Sequence, residues 1–188
     1  MRSALVIVIV SLMLSTAAHA QWFIGVKLMG ISIHTDKNTN GHLYTSAIGK
    51  QKRVAFHVGV AITTEYMFND WFSAKVDQVL FRDCVGKFAG MSMFNLRYTQ
   101  QLGKFGNGSV GMGPFFYYRK SWTDIAAYEE DGYFKESTNK KWQTKFVWYG
   151  GELEHNYPLS NRTDLSTNIL PGIPVVVAVA SGVRMKIE

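Results

Sequence analysis

Apolar and polar residues sort by parity along most of this chain. Between positions 53 and 67 (RVAFHVGVAITTEYM) the even positions Val54, Phe56, Val58, Val60, Ile62, Thr64 and Tyr66 are nearly all apolar, and the odd ones include Arg53, His57, Thr63 and Glu65. Side chains on a strand point alternately to opposite faces, so the pattern predicts a strand with one greasy and one polar face. The same sorting predicts eight strands: Trp22–His34, Arg53–Met67, Trp71–Arg82, Phe88–Gln101, Ser109–Lys120, Trp142–Asn156, Thr163–Leu170 and Pro174–Ile187. The fold class is all-β, an eight-stranded antiparallel up-and-down barrel.

The connections alternate too. Phe68-Asn69-Asp70, Leu102 to Gly108 (LGKFGNG) and Tyr157 to Arg162 (YPLSNR) are short and rich in turn-forming residues. Thr35 to Lys52 and Ser121 to Lys141 are long and polar. In transmembrane barrels the short turns face the periplasm and the long loops face outward, and an even strand count leaves both termini on the periplasmic side. Asp83 to Lys87 and Pro171 to Ile173 are short connections on the predicted outer side and depart from that rule.

The first 20 residues change the picture from barrel to exported barrel. Arg2, the apolar run Ala4 to Leu14 and Ala18-His19-Ala20 form a cleavable secretory signal, so the mature domain is predicted to span 21–188. That run is too short for a spanning helix of about 20 residues, and no later segment supplies one. A membrane span would therefore be made of strands. Without Arg2 the chain carries 19 Lys and Arg against 14 Asp and Glu, a net charge of +5, which suits anionic head groups and does not itself imply nucleic acid. Cys84, the single cysteine, excludes an internal disulfide and a thiolate metal cluster.

Parity alone does not say which face points inward. The polar faces carry Lys27, His57, Glu65, Lys75, Asp77, Arg97, Glu152, Glu154, Arg184 and Lys186, a nearly balanced set of both signs. A narrow lumen needs such balance, because each buried ion must be paired or hydrated. The same faces hold Gly25, Ala55, Gly59, Ala61, Ala178, Ala180 and Gly182, small residues that make room for large partners inside a small barrel. Aromatic residues gather at strand ends: Trp22, Tyr66, Phe72, Tyr98 and Tyr157 toward the periplasmic side, and Tyr118, Trp122 and Trp142 toward the outer side. They form candidate girdles at head-group level. The competing reading is a soluble periplasmic barrel of the lipocalin sort, with an apolar cavity and a charged exterior; the Gly-x-Trp signature near the first strand is missing.

Thr64 to Val76 (TEYMFNDWFSAKV), Gly111 to Tyr118 (GMGPFFYY) and Ala180 to Ile187 (ASGVRMKI) resemble the OmpA/OmpX-type eight-stranded outer-membrane barrels, the porin-family or outer-membrane β-barrel domain proteins. The resemblance extends over the whole mature region as a pattern, not as a motif. It implies location in the outer membrane, a bilayer containing lipopolysaccharide as surroundings, and the barrel-assembly machinery as a partner. Such barrels usually end in an aromatic residue, whereas this sequence reads Lys186-Ile187-Glu188. The expected role is structural or one of surface interaction through the outer loops, around a lumen filled by side chains.

A second reading is a lipid A-modifying enzyme, since small outer-membrane barrels include deacylases and palmitoyltransferases. The nearest hydrolase-like set is Glu152, Glu154, His155 and Ser160, but the deacylases' His-x-Ser arrangement is missing and Pro158 stands between His155 and Ser160. His34 and His42 have no recognisable partner pattern, and the histidines show no ligand-like spacing. The expectation is therefore no catalytic residue, metal, cofactor or nucleic-acid partner. Asn107-Gly108-Ser109 and Asn161-Arg162-Thr163 match a glycosylation acceptor pattern but read as turn residues.

Overall fold

The computed structural model describes residues 21–34, 39–45, 47–48, 54–130, 132–172 and 176–187. The predicted signal and the side chain of His57 lie outside the described residues. The strands are β1 (Gln21–His34), β2 (Ala47–Ile48), β3 (Val54–Met67), β4 (Phe72–Arg82), β5 (Phe88–Gln101), β6 (Asn107–Lys120), β7 (Lys135–Glu136), β8 (Trp142–Pro158), β9 (Thr163–Gly172) and β10 (Val176–Ile187). β2 and β7 are two-residue additions to β3 and β8. The other eight strands pair in chain order, and β1 pairs with both β10 and β3, which closes an antiparallel up-and-down barrel without edges.

Predicted and observed strand ends differ by two residues at most. β6 begins at Asn107, not Ser109, because Gly106 completes the turn in the left-handed region at φ 85°, where a Cβ would run into the Asn156 carbonyl. β8 continues to Pro158, which still pairs with Asp164.

One end of the barrel, the turn end, holds the tight connections after β3, β5 and β8, the start of β1 and the end of β10. The other, the loop end, holds the long ones and the short turn Asp83 to Lys87. Apolar side chains cover the outside: Leu28 is 72% exposed and Val58 83%. Charged side chains on the opposite parity are buried, among them Lys27, Lys75, Arg97 and Glu152. The molecule is therefore inverted relative to a water-soluble barrel.

Two irregularities break the strict alternation. Gly30 is an extra residue in β1 relative to β10, so Met29 faces inward and Ser32 resumes the inward face three positions later. β8 takes three steps between the partners of Phe115 and Gly113, Val147 and Gly150, where β6 takes two. That bulge leaves Trp148 and Tyr149 both about three-quarters exposed. It also corrects the predicted face of the first half of β8. Val147, expected outside, packs against the interior, whereas Thr144, expected inside, is half-exposed and Gln143 is buried in its place.

The interior is layered. Toward the turn end it is charged and amide-rich. Toward the loop end the same inward parity brings together Met29, Val79, Phe81, Met91, Met93, Phe115 and Leu170, with Ala61, Ala89, Ala178 and Ala180 between them. Gly113 lets β6 approach β5 closely beside this layer, since a Cβ there would collide with the Phe94 carbonyl.

Candidate functional site

The inward faces of seven of the eight barrel strands, all but β6, supply a network centred on Glu154. Its carboxylate takes Lys27 Nζ at 2.5 Å, Lys75 Nζ at 2.6 Å and an Arg97 guanidinium nitrogen at 2.8 Å. Lys75 also pairs with Glu152 and lies 3.2 Å from Asp77. Arg97 reaches Glu65 at 2.7 Å, and Arg184 bridges Glu65 (2.8 Å) and Asp164 (2.7 Å). Alternation places Lys75 and Asp77, or Glu152 and Glu154, on one strand and one face, and closure of the sheet then sets these pairs opposite each other.

Neutral side chains complete the shell. Asn95 and Asn168 donate to Glu152, Asn156 donates to Glu154, and the Ser73 hydroxyl donates to Glu65. A lone buried ion costs several kcal/mol, and this mesh of pairs offsets that cost. Asp77 is the carboxylate left out: neither of its oxygens accepts a hydrogen bond, and Lys75 is the one cation within 4 Å of it among the described residues. Parity put Asn95 on the polar face of its strand beside Arg97; sequence reasoning missed Asn156 and Asn168, although each stands on the inward parity of its strand and an amide there is a readable signal.

Two of the candidate residues lie elsewhere. Lys186 is half-buried at the turn end and outside the ion pairs. It follows Arg184 at the end of β10, where the lumen opens, and its backbone N–H donates to the Arg162 carbonyl. Trp122, expected at the outer aromatic rim, is 3% exposed inside the structure that covers the loop end. The long connection turns inward immediately after Lys120, carrying Trp122 over the lumen. The other girdle candidates lie at strand ends. Trp22 stacks near Tyr66 (4.8 Å between ring centres) and Phe72 near Tyr98 (5.7 Å), with Tyr157 exposed beyond them. At the loop end Tyr118 and Trp142 are half-buried neighbours 6.1 Å apart.

The cover at the loop end is a small core of its own, made of Tyr44, Ala55, Cys84 and Trp122 with Val85, Ile125 and Tyr128 packed against it. Asn40 and the backbone of Glu129 exchange two hydrogen bonds, which ties the two long connections together. Trp122 Nε1 donates to Asp83 at 2.7 Å. The Arg119 guanidinium lies between the rings of Trp122 (3.7 Å) and Phe134 (3.8 Å) and donates to Gln143. Burial pushes the Asp83 carboxyl above its ordinary pKa, against the Trp122 hydrogen bond, and burial likewise pushes the Cys84 thiol up. Cys84 is thus an unreactive core thiol.

The hydrolase-like set is not assembled among the described residues. Glu152 and Glu154 are held in the ion-pair mesh. His155 Nε2 lies 2.9 Å from the Phe105 carbonyl, and the Ser160 hydroxyl accepts from the Arg162 N–H. No group of three or more His, Cys, Asp or Glu suited to a metal ion occurs among the described residues.

No protein-family model matches the chain, and no curated protein matches it in sequence. Among solved structures, three similar ones are eight-stranded barrels of outer membranes. The outer membrane protein OprG from Pseudomonas aeruginosa is 14% identical with a TM-score of 0.49, over 90% of this chain and 97% of that one. The N-terminal β-barrel domain of Pseudomonas aeruginosa OprF is 10% identical with a TM-score of 0.47, over 90% and 100%. Ail, the attachment invasion locus protein of Yersinia pestis, solved in complex with the heparin analogue sucrose octasulfate, is 11% identical with a TM-score of 0.45, over 89% and 97%.

Proposed function

We propose that this chain is a small outer-membrane barrel, exported through the secretory pathway, with a structural or surface-interaction role carried by its outer loops and without catalytic activity. The observation that supports it most is the inversion of the surface. Leu28, Val58, Val76, Leu96, Met112 and Leu153 face outward while the ions lie inside, an arrangement that would aggregate in water and that hydrocarbon favours. In this reading the turn end is periplasmic, the capped loop end faces outward, and the aromatic ends of the strands lie at the two head-group levels. The surroundings are a bilayer with lipopolysaccharide, and the assembly machinery inserts the barrel. The ion-pair mesh supports the wall of a filled lumen and is not a solute path.

Fractionation tests this directly. The protein is expected in detergent-extracted outer membrane with a migration that shifts on heating; recovery from the soluble periplasm would overturn the reading. A lipid A hydrolysis assay on refolded protein is expected to show no turnover.

A further inference from the structure

A cleft of about 430 Å³ opens on the outside of the loop end. It is walled by the ends of β4 and β6, the start of β5 and the turn that follows β7, and five cations line it: Arg82, Lys87, Lys120, Lys140 and Lys141. Asp124 is the one carboxylate in the wall and is already paired with Lys87, and Arg82 donates to the Gly86 carbonyl, so the surplus charge rests on Lys120, Lys140 and Lys141.

The lysine pair is held in place. The Asn139 side chain accepts from the Lys141 N–H and from the Ser137 hydroxyl, and the Lys140 N–H donates to the Ser137 carbonyl. Lys140 is thereby held in the left-handed region at φ 52°, a conformation that residues other than glycine seldom adopt. Lys120 is similarly positioned, with its Nζ 4.4 Å from the Trp142 ring centre.

What lies beneath distinguishes this cleft from a general basic patch. Phe88 lines it, and Phe88, Tyr118, Trp142 and Phe116 form one aromatic cluster that continues down the apolar exterior, with centroid separations of 6.1–6.5 Å. Phe88 and Phe116 are each about two-fifths exposed. A soluble anion would use the cations alone. A lipid with a phosphorylated head group would use both, with phosphate in the cleft and acyl chains along the rings.

We infer that this cleft is a binding site for a phosphorylated glycolipid of the outer leaflet, with Lys120, Lys140 and Lys141 holding the head-group phosphate and the Phe88–Tyr118–Trp142–Phe116 surface holding its acyl chains. The inference rests on the outer-membrane reading above and assigns one place on the barrel to one lipid chemistry.

The test uses the full chain refolded in detergent and in bilayer discs. Binding of lipid A carrying its phosphates is compared between the native protein and Lys120→Gln/Lys140→Gln/Lys141→Gln. The charge control is Lys104→Gln/Arg162→Gln/Lys186→Gln, all at the turn end. Affinity is expected to fall about tenfold in the first variant, the combined effect of three partly exposed ion pairs, and to stay unchanged in the control. Dephosphorylated lipid A is expected to bind the native protein as weakly as phosphorylated lipid binds the first variant, and millimolar inorganic phosphate to leave the lipid bound. Native affinity in the first variant, or indifference to dephosphorylation, overturns the inference. Full displacement by inorganic phosphate overturns it as well and reassigns the cleft to a soluble anion. Heat-shifted migration of every variant is scored separately: a barrel that does not insert refutes the membrane reading, whereas one that inserts without selective lipid binding refutes the inference alone.

Discussion

At the scale of single residues, the lumen separates charges that support one another from one that does not. Lys75 touches Glu152, Glu154 and Asp77, so Lys75→Met would take a cation from all three and leave five carboxylates of the mesh facing three cations. A loss of about 3–5 kcal/mol is expected. Asp77 has the same burial and far less support. Four cations of the mesh, Lys27, Lys75, Arg97 and Arg184, face five carboxylates, Glu65, Asp77, Asp164, Glu152 and Glu154, and Asp77 alone of the five accepts no hydrogen bond. Asp77→Asn, of nearly equal shape, should therefore change stability by less than about 1 kcal/mol or raise it, since it removes a charge that lacks hydrogen bonds. Urea titration of the two variants in lipid vesicles checks the contrast, and equal losses would refute it.

At the scale of the strand, parity in the sequence carried the barrel because one face of each strand must meet apolar surroundings and the other a crowded lumen. Lys27, Lys75 and Glu152 were legible for that reason: a charge on a regular strand declares its face. The first half of β8 was not legible. The bulge at Trp148 and Tyr149 is set by how β8 matches β6, a relation between distant segments, and both residues are large and aromatic, so no polar residue marks the change of face. Trp122 was misplaced for a related reason, as parity ends where β6 ends and the inward course of the connection depends on Asp83 and Arg119. Depth along one strand yields a quantitative expectation. Leu28 and Trp22 share the outward face of β1, Leu28 near its middle and Trp22 at its turn end. Leu28→Arg should cost about 2–4 kcal/mol in a bilayer and Trp22→Arg about 0–1. Folding titrations into vesicles that gave the same cost at both positions would contradict the spanning orientation.

At the scale of the whole molecule, three layers stand in series along the barrel axis: the ion-pair mesh, the apolar layer around Met91, Met93, Phe81 and Phe115, and the loop-end cap with its own core. An ion crossing the barrel would meet both of the last two. An apolar constriction excludes water, and without water an ion has no way to cross. The cap lies outside that constriction and is built from connections whose anchors, Asn40 to Glu129 and Trp122 to Asp83, do not involve the layer below. If the apolar layer is the seal, loosening the cap should not open the barrel. Trp122→Ala combined with Tyr44→Ala removes both large rings of the cap core and should leave single-channel conductance in planar bilayers at the native level, while the Phe81, Met91 and Phe115 side chains still meet in the lumen. A large rise in conductance for a barrel that retains its heat-shifted migration would move the seal to the cap and make the outer loops a gate.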